Sequence, residues 1–282
     1  MNKLNNMAPI NLLIVIVLYE KKISEISFLN KIKNSNTNID ILIYDNSFDP
    51  QVCKGLNLTY YHDPSNPGVS TAYNYAFSYA NENNKSAVLL LDQDTSFEPD
   101  SIYNYLSMYN KYGDLYIYAP IITDAFKNKV YSPSYMKNFV GKVSSFSEVK
   151  YKEVYEISNK SIINSGLLIP IKIFNKIGGY NDKIKLDFSD VFFIEKYRSI
   201  NDTVILINCY IRHNLSGDEG LNFNAEMKRF PYYCNGAIEL SKSLKVKTTW
   251  TVVRRTISLV SKYRSIIPVL IFLRFYVARE RV

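Results

Sequence analysis

The residues best suited to chemistry are Asp92 and Asp94, two positions apart, where the apolar run Leu89-Leu90-Leu91 ends. Paired carboxylates at the mouth of a buried strand can grip a hard divalent cation such as Mg2+ or Mn2+, with phosphate oxygens completing its shell. One of the pair could instead face a ribose or a metal-bound water, and the bland alternative is a polar turn. A calcium-loop reading fails, because Phe97 occupies the sixth loop position, where the sharp turn needs glycine. Asp45 follows an apolar run in the same way. A carboxylate there can accept the imide N–H of uracil or thymine, or simply close a turn with its own side chain. Asn66-Pro67-Gly68 then leads through Val69 to Asn74. Gly68 permits close backbone approach and a helix start there can face an anion, unless the segment is an ordinary loop-to-helix entry with Asn74 exposed.

These residues need a frame. Ile10–Leu18 is a continuous apolar run, the mark of a strand covered on both faces. Ile23, Ile26, Leu29 and Ile32 follow at helical spacing, then strands are expected at Ile39–Tyr44 and Leu58–Tyr61. Val69, Ala72, Tyr73, Ala76, Phe77 and Ala80 mark the clearest helix. Ala87–Leu91 reads as a central strand, Pro99 opens a helix, and Leu115–Ala119 reads as another strand. Residues 128–161 read as loops or an irregular insertion. They precede a strand at Ile162–Ile169, a short helix at Ile171–Ile177 closed by Gly178-Gly179, a helix at Val191–Ser199 and a strand at Thr203–Ile207. From about Asn222 the pattern is helical to the end. Strands alternating with helices imply an α/β fold with a doubly wound, mostly parallel sheet, whose ligands bind beyond the carboxyl ends of the strands.

The segments, taken in order, resemble the inverting glycosyltransferases of family 2, with the GT-A fold. The match runs through Tyr19, Asp45-Asn46-Ser47, Asn66-Pro67-Gly68 to Asn74, and Leu91-Asp92-Gln93-Asp94. Asn164-Ser165-Gly166, Ile177-Gly178-Gly179-Tyr180, Leu186-Asp187-Phe188-Ser189-Asp190 and Arg212-His213-Asn214-Leu215-Ser216-Gly217 look like the acceptor-side signature of a rhamnosyltransferase-like branch. The resemblance covers roughly residues 10 to 240. It implies that Tyr19, Asp45, Asn66, Gly68, Asn74, Asp92 and His213 line a nucleotide-sugar site. It also implies that Asp92, Asp94 and His213 hold Mg2+ or Mn2+, and that Asp190 is the general base, with Asp187 its rival. Inversion by one in-line displacement needs one such base opposite the leaving group. This chain departs from the pattern at Glu20, where relatives often carry Asn, at Phe192, where they often carry an acid, and at Cys234-Asn235, where many carry Arg-Asn. Those departures bear on acceptor choice.

Composition narrows the class further. The three cysteines, Cys53, Cys209 and Cys234, are far apart and odd in number, which argues against a disulfide framework and suits a reducing compartment. The net charge of +8 is carried by the tail: from Lys242 onward there are ten Lys and Arg and one acid. The body is nearly neutral, so a nucleic-acid-binding body is not expected. In the tail Trp250, Val252, Val253, Ile257, Leu259 and Val260 alternate with Arg254, Arg255, Lys262 and Arg264, a pattern suited to lipid headgroups or to a solvated helix packed on the body. Neither Leu12–Leu18 nor Ile266–Leu273 is long enough to span a bilayer.

The expected organisation is therefore a nucleotide-sugar-binding catalytic unit over 1–221 and a basic, membrane-associating helical extension over 222–282. The expected reaction is inverting transfer from a nucleotide-diphosphate sugar, dTDP-rhamnose first, to a lipid-linked or saccharide hydroxyl during surface polysaccharide assembly. It would occur at the cytoplasmic face of a bacterial inner membrane. UDP-hexose or UDP-galactofuranose donors are the nearest alternatives. A nucleotidyltransferase would need a glycine-rich phosphate loop, which Tyr19-Glu20-Lys21-Lys22 does not supply, and a non-catalytic nucleotide-sugar-binding module is the remaining rival.

Overall fold

A computed structural model describes residues 10–32, 39–53, 58–124, 129–145, 151–213, 222–280 and 282, with the side chains of 141–143, 145 and 213 left out. Its centre is parallel: β1 (Leu12–Leu18) lies between β2 (Asp40–Asp45) and β4 (Ala87–Asp92), and β3 (Thr59–His62) extends the sheet beyond β2. All seven residues of β1 are buried, as expected for a strand covered on both faces. Its side chains divide by parity. Leu13, Val15 and Val17 join the core under α2 (Val69–Glu82). Leu12, Ile14, Ile16 and Leu18 join the core under α1 (Ser27–Ile32) and α3 (Ser101–Tyr112).

Beyond β4 the direction changes. The next strand in space is β11 (Leu168–Pro170), antiparallel to both β4 and β6 (Tyr118–Thr123). The last strand, β12 (Thr203–His213), runs parallel to β6 and then pairs antiparallel with the two-residue β5 (Thr95–Ser96), Arg212 opposite Ser96 and His213 opposite Thr95.

Three expectations need correction. The described residues of 129–161 are largely strand: β7 (Lys129–Lys137), β8 (Val140–Ser145), β9 (Val154–Glu156) and β10 (Lys160–Ser161) pair antiparallel around the sheet's far edge. Serines occupy buried positions there, Ser132 and Ser134 among them, so the inward face carries no apolar alternation. The strand expected at Ile162–Ile169 shrinks to β11, because residues 162–167 form a loop bonded across to Leu90. The strand expected at Thr203–Ile207 runs on to His213, its continuation disguised by Asn208 and Arg212.

Helices α4 (Ile171–Ile177) and α5 (Ser189–Arg198) cover the same sheet face as α2. The C-terminal region is helical as expected: α6 (Phe223–Leu244), capped by Asn222, then α7 (Thr249–Tyr263) and α8 (Ile267–Ile271), which continues as a π-helical stretch to Val277. These helices share a third core with the segment Ile184–Phe192, through Phe230, Cys234, Ala237, Leu240, Val252 and Leu259. Gly236 sets the approach of α6, since a Cβ there would lie 2.7 Å from the Asp187 carbonyl oxygen. Among the described residues no helix is long and apolar enough to cross a membrane.

Candidate active site

The carboxyl ends of β1, β2 and β4 lie side by side. Asp45 registers with Leu18 and Asp92 with Val17, so the two acids flank β1, about 10 Å apart across two strand spacings. Their side chains leave on opposite faces, because Leu18 and Val17 do. Asp92 takes the α2 face and Asp45 the α1 face.

On the α2 face, Asp92 accepts a hydrogen bond from Tyr73 Oη at 3.2 Å, and Tyr73 packs against Tyr180 at 5.1 Å between ring centroids. Tyr180 Oη in turn donates to Asn164 Oδ1. Asp190, in the first turn of α5, completes this chamber. The hydroxyls of both tyrosines are held protonated by burial first, and by the neighbouring charges of Asp92 and Asp190. Asp190 itself is pushed up from the ordinary 3.8 to about 6. Burial is the main cause, with the charges of Asp187 and Asp92 adding to it, while the backbone N–H of Val191 holds it back. Among the described residues no cation pairs with Asp190. Asp187 is different: Arg229 of α6 grips it with Nη2 to Oδ1 at 2.7 Å and Nε to Oδ2 at 3.1 Å.

Asp94 is exposed at the turn after β4. Thr95 anchors that turn, its Oγ1 bonded to Ser165 Oγ at 2.6 Å and accepting from the Asp92 N–H. The β5–β12 pairing sets the His213 backbone opposite Thr95, one residue beyond Asp94. Among the described residues no group of three or more His, Cys, Asp and Glu side chains converges, and the His213 side chain lies outside them. The donor set still suits a divalent cation: two hard carboxylates at a strand tip, with room for oxygens brought by a ligand. Gln93, between the two acids, accepts from the Tyr19 N–H at 2.8 Å, and Lys21 Nζ donates to the Gln93 carbonyl at 3.2 Å. Tyr19 is half exposed beside this turn.

On the α1 face, Asp45 is fully buried. Its Oδ1 accepts from the Ser47 N–H, and its Oδ2 from Tyr60 Oη at 2.8 Å and Gln51 Nε2 at 3.0 Å. Burial would raise its pKa, but these bonds outweigh burial and the net shift is downward. The expected contact of Asp45 with a nucleotide base would be one more acceptor contact beside these three, since a carboxylate offers about four lone-pair sites. Asn46 Oδ1 next to it is buried without a partner, a desolvation cost of the kind a ligand hydrogen bond offsets. Beside this network opens a cavity of about 560 Å³, bounded by Glu20, Lys21, Lys22, Ser47 and Gln51.

Gly68 and Asn74, two further residues expected at the site, also meet protein groups. Gly68, with φ of 101°, does allow close approach, but what approaches is the protein: a Cβ there would sit 2.1 Å from the Lys185 carbonyl oxygen, which accepts the Val69 N–H. The Lys185 carbonyl thus sits against the start of α2. Asn74 is spent on the turn after α4: Nδ2 donates to the Tyr180 carbonyl and to Asp182, and Oδ1 accepts the Tyr180 N–H. Asn66, at positive φ, forms the turn above and bonds through its N–H to Asp63. The structure thus brings Asp92 and Asp190 together on the α2 face, while Asn66, Gly68 and Asn74 each contact protein groups in the surrounding turns. Sequence reasoning missed Tyr73, Tyr180, Gln51 and Arg229. Tyr73 was legible only as an apolar position of α2, and its hydroxyl's role required the topology.

A mostly parallel central sheet between helices, with antiparallel strands at its far side, is the architecture of the GT-A fold. The profile of "Glycosyl transferase family 2" matches residues 14–176, more than half of the chain, which therefore belongs to that family. No curated protein matches the sequence. Among solved structures, S. aureus TarS is similar with a TM-score of 0.55 at 10% identity, over 86% of this chain and 42% of that one. GalNAc-T7 with UDP, GalNAc and Mn2+ gives 0.54 at 11% identity, over 90% of this chain and 58% of that one. TarS 1-349 in complex with UDP-GlcNAc gives 0.51 at 10% identity, covering 86% and 70%. The chain thus spans about half the length of the first two structures, and likeness at this identity speaks for the fold.

Proposed function

We propose that this chain is an inverting, metal-assisted glycosyltransferase in which Asp190 takes the proton from an acceptor hydroxyl. The observation that carries this reading is the convergence of Asp92 and Asp190 across the Tyr73–Tyr180 pair, with Asp190 poised to titrate near 6. A base with a pKa somewhat below working pH is ionised and still accepts a proton. Asp187, the rival base, is committed to Arg229. Asp92, Asp94 and His213 would hold the cation, which when bound neutralises charge on the departing diphosphate. Lys21 stands beside the same turn to add to that neutralisation. The cavity beside Gln51 would take the donor's base, on the far side of β1 from the sugar.

For the donor, dTDP-rhamnose follows from the motif resemblance, while the similar structures hold UDP or UDP-GlcNAc and favour a UDP-sugar as the second reading. The acceptor reading rests on the C-terminal helices. Ile266, Ile267, Leu270, Leu273 and Val277 are exposed, while Ile271, Phe272, Phe275 and Tyr276 of the same stretch pack inward. An apolar outer face carrying Arg274 suits a membrane surface, at the inner leaflet where a lipid-linked acceptor would be anchored. The deciding experiment offers Mn2+ or Mg2+ and a panel of dTDP- and UDP-sugars, and measures donor hydrolysis and transfer. Asp92→Ala with Asp94→Ala should abolish turnover as chelation does; metal-independent turnover in the double variant would defeat the proposal.

A further inference from the structure

We infer that Arg229 is a positioning residue for catalysis: by gripping Asp187, it fixes the segment that presents Asp190, which makes α6 a wall of the active site. This rests on the reading of Asp190 as the base. The grip is two-pronged, and a guanidinium fork fixes orientation as well as distance, which a lysine cannot. Both partners are largely buried, with side chains 28% and 17% exposed, so the pair is shielded from competing water. Asp187 is three residues from Asp190, and the short link between them is held at every step. Phe188 adopts a positive φ of 72°, and its ring packs on Tyr233 of α6. Ser70 Oγ donates to the Ile184 carbonyl at 2.6 Å and lies within hydrogen-bond distance of Ser189 Oγ at 3.1 Å. The backbone of α6 touches the Asp187 carbonyl at Gly236. Movement of Asp187 therefore has one stiff route, into the turn that carries Asp190. Arg229 also cancels the charge of an acid close enough to Asp190 to perturb it.

The test uses the full chain with the donor the panel identifies, and compares Arg229→Met, Arg229→Lys, Asp187→Asn and the Asp187→Asn/Arg229→Met double variant. Arg229→Met should lower kcat roughly ten- to a hundredfold, the scale of a small misplacement of a reacting group, with donor KM unchanged. Arg229→Lys, which keeps the charge and the fold, should recover only part of kcat. The double variant should be no worse than the worse single, because the two residues act as one unit. Unchanged kcat in folded Arg229→Lys and Arg229→Met, a loss confined to donor KM, or full additivity in the double variant would each overturn the inference. Asp190→Asn is run alongside. If it is inactive while the Arg229 variants turn over normally, only the role of Arg229 falls; if it retains full transfer, the reading of Asp190 falls and takes this inference with it.

Discussion

Asp190 carries a cost that its neighbours impose. Its pKa near 6 lies above that of an exposed aspartate, so the folded chain binds its proton more tightly than the unfolded chain. The linkage sign follows: the stabilisation is present at low pH and is lost as pH rises from about 4 through about 6. Asp190→Asn should therefore raise the melting temperature at pH 7 and flatten its fall between pH 4 and 6. The same variant should lower kcat by roughly 10²–10⁴, as read in a transfer assay. In the native enzyme, kcat should climb with pH through about 6 as the base ionises; a flat profile there would remove Asp190 from the role. Activity gained and stability lost over one pH window is the signature of an acid held in an uncomfortable place for use.

The element scale explains what could be read in advance. β1, β2, β4 and α2 were legible because strands buried on both faces and a helix with one buried stripe leave plain periodicities. The strands β7 to β10 were not, since their inward positions use serine and tyrosine as well as valine. At the site, Asp92 and Asp94 were visible as a motif at a strand end. The face each acid takes depends on register with β1, which no local pattern reveals. Asn74 shows the same limit: its spacing fitted a ligand contact, yet its amide is a staple for the turn that delivers Tyr180. Asn74→Ala should cost about 1–3 kcal/mol of stability by leaving buried backbone groups unpaired. A chemical denaturation midpoint checks this, and donor KM should hold. The departures at Phe192 and Cys234 also make sense here, because both lie in one apolar cluster between α5 and α6.

At the scale of the molecule, two cores sandwich the sheet and a third binds the C-terminal helices to the segment bearing Asp190. The basic tail is partly turned inward: Arg255 and Lys262 both reach Glu226, a buried acid of α6. These ion pairs turn part of the tail's charge toward the body, and the proposed membrane contact rests instead on the exposed apolar stripe from Ile266 to Val277. Leu270→Glu with Leu273→Glu should cut co-sedimentation with anionic vesicles by more than about tenfold, since each buried leucine contributes roughly 1.5–3 kcal/mol. Binding that survives this change but vanishes in high salt would point to the basic residues instead.

The placement of Asp45 and Asp92 on opposite sides of a single strand has a consequence for how such a chain can diversify. On the proposed reading, a donor reaching from the Gln51 cavity to the Tyr73–Tyr180 pair would saddle the tip of β1, with Tyr19 beside it. Its two ends are then judged by separate panels of side chains that share no packing. Substitutions beside Gln51 can retune which nucleotide is accepted while turnover of the sugar stays intact, so preference for the handle and preference for the cargo can drift apart.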